Sequence, residues 1–193
     1  MSSRETDSGF SSQQVNLDEA NRRIRRAALL TLMALAVTAP LACWLLPLVI
    51  SLPETLAERM AFAARASVFV LLCVVIAIFM VSTGRRRSAD DIGGSAAGPP
   101  SDRLAIPVAF LQNTLEQAVI AVGMYLALAS LATGPLLALI PLAVAFFLLG
   151  RVLFYLGYAR GAEGRAPGMA LTMLPTVLGY LLVLVLLAAR WLS

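Results

Sequence analysis

The chain has 193 residues and a net charge of +4, with 60% hydrophobic and 13% charged residues, against about 45–50% apolar and about 25% charged in ordinary soluble domains. These proportions exclude a soluble domain. They predict an all-α integral membrane helical bundle, long enough for four to five spans of roughly 20 residues each. There is no His, which removes His-based metal sites and His general bases together.

All 15 basic residues are Arg, and most flank apolar runs. They read as topology signals and not as a nucleic-acid surface. Residues 1–26 read as a disordered basic N-terminal tail, Ser- and Gln-rich at first and closing on Arg22-Arg23-Ile24-Arg25-Arg26. Asn16 or Asp18 could cap a short helix leading into that cluster. The first span covers about 27–50, with Pro40 and Pro47 inside to kink or shorten it. No convincing small-residue cleavage site follows, so it reads as a signal anchor. A short polar connection at 51–60 leads to the second span, about 61–82. Cys43 and Cys73 lie within these apolar runs as small buried hydrophobes.

The longest polar connection, 83–103, holds Arg85-Arg86-Arg87, Asp90-Asp91 and Gly98-Pro99-Pro100. The third span follows at about 104–131, a tight turn at Thr133-Gly134-Pro135, the fourth span at about 135–159, a loop at 160–168 and the fifth span at about 169–189. Eleven arginines fall on the side of the N-terminus and of the 83–103 and 160–168 loops, and three on the other. The positive-inside rule places the eleven in the cytoplasm. A four-span chain with a re-entrant first segment is the alternative.

Arg151 stands well inside the fourth span, where a cation is costly and marks a functional site by default. Arg151, Phe154, Tyr155 and Tyr158 are spaced i, i+3, i+4 and i+7, one face of a helix. Glu116 is the only acid within a predicted span. At 1.5 Å per residue, Asn113, Glu116 and Arg151 lie at matching depths of roughly 13–18 Å from the cytoplasmic side. This predicts a Glu116–Arg151 ion pair, with Asn113 and Gln112 adding hydrogen bonds. Such a pair can instead serve only to fix helix register. Tyr158 and Arg165 fall nearer the cytoplasmic surface, within reach of a ligand.

Two stretches together resemble the MAPEG superfamily (membrane-associated proteins in eicosanoid and glutathione metabolism): Gln112-Asn113-Thr114-Leu115-Glu116, and Arg151-x-x-Phe154-Tyr155-x-Gly157-Tyr158-Ala159-Arg160 with Arg165 downstream. The arginine triplet and Gly-Pro-Pro of the 83–103 loop look alike too. The chain differs from the pattern at Ala109, where many members carry Arg, at Gln117, often Tyr, and at Phe154, Tyr in the leukotriene-synthase branch. The resemblance implies a MAPEG-like four-helix domain at 61–193, with residues 27–60 as an extra N-terminal transmembrane helix and connection. It implies a homotrimer in contact with membrane lipids, in a bacterial inner membrane, with glutathione as co-substrate and no metal. Asn113, Glu116, Arg151, Phe154 and Tyr158 match glutathione-binding positions. Arg165 matches the arginine that stabilises the glutathione thiolate, and one of Arg85, Arg86 and Arg87 matches an arginine at the end of the first family helix. The implied activity is thiol transfer to apolar electrophiles from the bilayer. The alternative is a non-catalytic lipid- or partner-binding member.

Overall fold

The computed structural model of the protein describes residues 17–192. Its helices are α1 (Leu17–Val49), α2 (Leu56–Arg86), α3 (Asp102–Leu131), α4 (Leu139–Gly157) and α5 (Gly161–Leu192). Short 3-10 segments lie at Gly134–Ala138 and Tyr158–Arg160, and no strand occurs among the described residues. α1, α2, α3 and the segment Gly134–Leu192, which holds α4 and α5, are each long and apolar enough to cross a membrane. The expected all-helical membrane bundle is therefore what is observed.

α2 packs along α3 and α4 along α5, while α1 lies outside, mainly on α5. The core fills the space between α2, α3 and α4, where Val70, Met124, Tyr125, Leu128 and Phe147 are almost wholly buried. α1 buries only a narrow stripe, Ala20, Ala27, Thr31 and Leu35. One helical face with seven- and four-residue steps suits a helix laid against a finished bundle.

Three expectations are corrected. The disordered tail does not hold for residues 17–26, which form the first turns of α1; residues 1–16 lie outside the described residues. The arginine cluster is therefore carried on the helix that enters the bundle. The loop expected at 160–168 is also helical. The reversal between α4 and α5 is compressed into Tyr158–Arg160 and Gly161, whose φ of +73° is a conformation that glycine adopts without strain. Beyond it, Ala162, Glu163, Arg165 and Ala166 are all good helix formers, and Pro167 sits inside the helix. The connection at 51–60, lastly, is shorter than expected. Thr55 and Glu58 form a capping box that starts α2 at Leu56: the Glu58 amide donates to Thr55 Oγ1 at 3.3 Å and the Thr55 amide donates to Glu58 Oε2 at 3.1 Å.

Close backbone approach makes the α4–α5 hairpin tight. A Cβ at Gly157 would strike the carbonyl of Gly164, and one at Gly168 would strike the backbone of Phe154. Small residues four apart on α5 let the two helices touch main chain to main chain. This contact sets the height of every side chain that α4 and α5 present to each other.

The end of the bundle that carries the α2–α3 loop and the α4–α5 turn is called the loop end below. The loop is stapled by Asp91, whose Oδ1 accepts the Ser101 amide at 2.8 Å and whose Oδ2 accepts the Ser101 hydroxyl at 2.6 Å. At the opposite end Arg59 Nη1 donates to the Ala132 carbonyl at 2.6 Å, tying the start of α2 to the end of α3.

The bonds from the Ser101 amide and hydroxyl hold the Asp91 carboxyl below the usual carboxylate range. A depressed folded-state value means that the staple contributes in full above the unfolded value and is lost as pH falls through the folded one. Hydrogen exchange at 88–101, corrected for intrinsic rate, is expected to be slow near about pH 6 and faster near about pH 3. Asp91→Asn is expected to be fast at both, and equal protection in the two proteins would contradict the staple.

Candidate functional site

Arg151 projects from α4 into the interior and is 2% exposed. Its Nη1 donates to Asn113 Oδ1 at 2.7 Å, and its Nη2 and Nε donate to Thr172 Oγ1 at 2.7 and 3.2 Å. The guanidinium lies 5.6 Å from the ring centre of Phe147 and 4.7 Å from that of Phe154. Those residues are four before and three after it, so one helical face supplies the aromatic walls of its slot. Thr172 donates to the Gly168 carbonyl at 2.7 Å, which turns its lone pairs toward Arg151. The close α4–α5 crossing places Thr172 at that height.

The predicted Glu116–Arg151 ion pair is not formed. Glu116 is exposed on the outer side of α3, where its Oε1 accepts from Gln112 Nε2 at 3.2 Å. Asn113 is the α3 residue whose side chain meets Arg151, and Glu116, three residues further on, is turned off that line. Thr172 takes the place assigned to the carboxylate. It stands out in the sequence as one of the few polar residues inside the fifth apolar run, the type that bridges helices in membranes. Gln117 is buried and lines none of the cavities described here.

Beside this cluster, at the loop end, is a cavity of about 530 Å³. Asn113, Phe154, Tyr158 and Arg165 line it, so four of the six predicted site residues come together around one space. Arg151 stands behind Asn113, and Glu116 lies outside. The Arg165 guanidinium rests 4.9 Å from the Tyr158 ring centre, and Tyr158 stacks edge-on against Phe154 at 5.5 Å. Arg165 has no carboxylate partner among the described residues. The Asn113 oxygen is engaged by Arg151, which leaves its Nδ2 as a donor for the cavity. Asn113, Tyr158 and Arg165 thus bring donors to a cavity whose lining also holds the apolar Met169, Met173 and Leu174 of α5.

Tyr155, expected on the same face, stacks edge-on against Phe110 at 5.0 Å, away from the cavity lining. Arg85 donates to Ser95 within the α2–α3 loop at 2.8 Å. None of Arg85, Arg86 and Arg87 lines this cavity. Ile24 and Ala28 of α1 do line it, a contribution that sequence reasoning missed. Nearby, Arg23 of α1 bonds Glu163 of α5 at 2.8 Å on the exposed side and Glu19 at 2.8 Å. Exposed pairs of this kind are weak and screened by salt, so the buried stripe of α1 holds it in place.

Fold and site together define a helical integral membrane protein with a donor-lined cavity at one end of the bundle. The chain belongs to the MAPEG family, whose model matches residues 60–187. α1 lies wholly before the matched region. No curated protein and no solved structure matches the chain significantly.

Removing the Thr172 hydroxyl leaves two buried N–H groups of Arg151 without an acceptor. Thr172→Val is expected to lower stability by about 1–2 kcal/mol, read by thermal or denaturant unfolding in detergent. In an Arg151→Met background the same substitution is expected to cost much less. Equal costs in the two backgrounds would show that the two residues are not coupled.

Proposed function

We propose that the protein is a membrane-embedded thiol transferase that binds glutathione in the loop-end cavity and joins its sulfur to an apolar electrophile from the bilayer. The observation that carries this reading is Arg165, a cation without a carboxylate partner among the described residues, held against Tyr158 at the wall of the cavity. A free thiol has a pKa of about 8.5 and is mostly protonated at neutral pH, while the thiolate is the nucleophile. A guanidinium at the sulfur favours the thiolate electrostatically without any histidine. The released proton passes to water at the loop end. The sulfur then forms a bond to the electrophilic carbon, and the leaving group departs with its electron pair. In this reading Asn113 Nδ2 and the Tyr158 hydroxyl, both at the cavity lining, hold the peptide part of glutathione. Arg151 acts one step back by fixing the Asn113 amide.

The proposed setting is a bacterial inner membrane with the loop end and the N-terminus in the cytoplasm, supported by the eleven-to-three distribution of arginines. The proposed assembly is a homotrimer. Its support is Glu116, an exposed carboxylate on α3 beside Leu115 and Val119, which are 48% and 62% exposed. A carboxylate at this depth is costly against lipid and is relieved where a neighbouring copy covers it. A second reading, a binding protein without transfer activity, draws on the apolar walls of the cavity and on the position of Glu116 outside it.

Purified protein is expected to conjugate glutathione to chlorodinitrobenzene, with chloride as leaving group. Arg165→Ala is expected to lower the rate by about 100-fold, the scale for losing one anion-stabilising group. An unchanged rate would remove Arg165 from the thiolate. Binding of apolar ligands with no conjugation by the unaltered protein would favour the second reading.

A further inference from the structure

Two cavities lie along the seam between α1 and α5: the loop-end cavity, and an apolar one of about 350 Å³ walled in part by Ala36 and Ala39 of α1 and Gly179 of α5. A third cavity, of about 580 Å³, shares no lining residue with either. It lies between the end of α2, the α2–α3 loop and the start of α3. Its frame is fixed. A Cβ at Gly84 would strike the Leu104 side chain, so α2 and α3 meet closely at its wall. Asp91 is bonded through both carboxylate oxygens to Ser101, which makes it part of the frame and not a free charge.

Four other charged side chains line this space: Arg87 at the C-cap of α2, Asp90 in the loop, and Asp102 and Arg103 at the start of α3. No ion pair or side-chain hydrogen bond engages any of the four among the described residues. Both signs of charge therefore share one cavity without neutralising each other. A purely anionic ligand would sit against Asp90 and Asp102, and a purely cationic one against Arg87 and Arg103. The complement is a ligand that carries both signs. The lining also holds apolar Met80, Leu104 and Pro107. Met80 lies seven residues before Arg87, roughly 10 Å deeper along α2. From Met80 the same face of α2 continues through Ile76, Leu72 and Phe69, at steps of four, four and three. All three are exposed on the outside of the bundle, in a helix long and apolar enough to cross a membrane. A cavity of mixed charge at the end of a span, continuous with a stripe that faces hydrocarbon, has the outline of a phospholipid.

We propose that the α2–α3 cavity binds the headgroup of a zwitterionic phospholipid that carries a primary ammonium group, of the phosphatidylethanolamine type. Its phosphate accepts from Arg87 and Arg103 in charge-assisted bonds. Its ammonium has three N–H groups to donate to Asp90 and Asp102, which a quaternary choline headgroup lacks. An acyl chain lies along Ile76, Leu72 and Phe69 of α2. Neither Asn113, Tyr158 nor Arg165 lines this cavity, so the site stands or falls apart from the thiol-transfer reading.

The test uses the full chain in detergent, offered phospholipids with identical acyl chains and ethanolamine, choline or glycerol headgroups, with bound lipid read by native mass spectrometry. The ethanolamine lipid is expected to be retained about tenfold or more over the other two. Equal retention of the three, or preference for the glycerol lipid, would overturn the proposal. Arg87→Ala with Arg103→Ala is expected to lower retention of the ethanolamine lipid by about tenfold. Asp90→Asn with Asp102→Asn is expected to bring it down to the level of the choline lipid. A preference that survives both pairs, in proteins whose circular dichroism shows them folded, would place the headgroup elsewhere. Arg165→Ala, in the loop-end cavity, is expected to leave retention unchanged, and a loss there would move the lipid out of the α2–α3 cavity. Ethanolamine lipid with a diazirine on its acyl chain is expected to label 69–80 of α2, and label confined to α1 or α5 would contradict the site. Displacement of the lipid by glutathione would also count against it.

Discussion

A guanidinium buried without a counter-ion among the described residues governs this molecule. Arg151 is answered by neutral oxygens, Asn113 Oδ1 and Thr172 Oγ1, and by the faces of Phe147 and Phe154. Removing an arginine from water is costly, and the cost is bearable only when its donors are matched. That requirement binds three helices to one register, because Asn113 comes from α3, Arg151 from α4 and Thr172 from α5. It also fixes the Asn113 amide, and so decides which atoms the loop-end cavity presents to a ligand. Since no carboxylate neutralises Arg151 among the described residues, its positive charge remains behind the cavity and adds to that of Arg165.

The glycine contacts between α4 and α5 are what make this register possible. With main chain on main chain at Gly157–Gly164 and Phe154–Gly168, the Thr172 hydroxyl reaches Arg151 and Arg165 settles over Tyr158. A wider helix separation would leave Arg151 with unmet donors. Packing by small residues and the polar cluster are therefore one device, with van der Waals contact setting the geometry that the hydrogen bonds use. α1 adds a second layer. It contributes little to the core, yet it walls both cavities along the seam with α5.

Much of this was legible in the sequence. Hydropathy and the spacing of Arg151, Phe154 and Tyr158 indicated a membrane bundle with an interior polar face, and the family assignment agrees with that fold. Asn113 and Arg151 were placed at one depth because rise per residue is nearly constant in a helix. The partner of Arg151 was not legible, because depth alone does not give rotation. Glu116 has the right height and the wrong azimuth, while Thr172 has both and carries no charge to draw notice. The helical start of α5 was hidden by Gly161, Gly164, Pro167 and Gly168. Those residues usually punctuate loops, but here Gly161 makes the turn and Gly164 and Gly168 serve close packing. The part played by α1 was hidden for a different reason: its wall residues, Ile24, Ala28, Ala36 and Ala39, are ordinary apolar residues that acquire a role only from what stands opposite them.

The claim that the loop-end cavity is a glutathione site is tested most directly by equilibrium binding of radiolabelled glutathione to the purified protein, beside Arg165→Glu. The account predicts saturable binding in the millimolar range or tighter, lost when the charge at Arg165 is reversed. Absence of saturable binding in that range, or binding indifferent to the reversal, would contradict it.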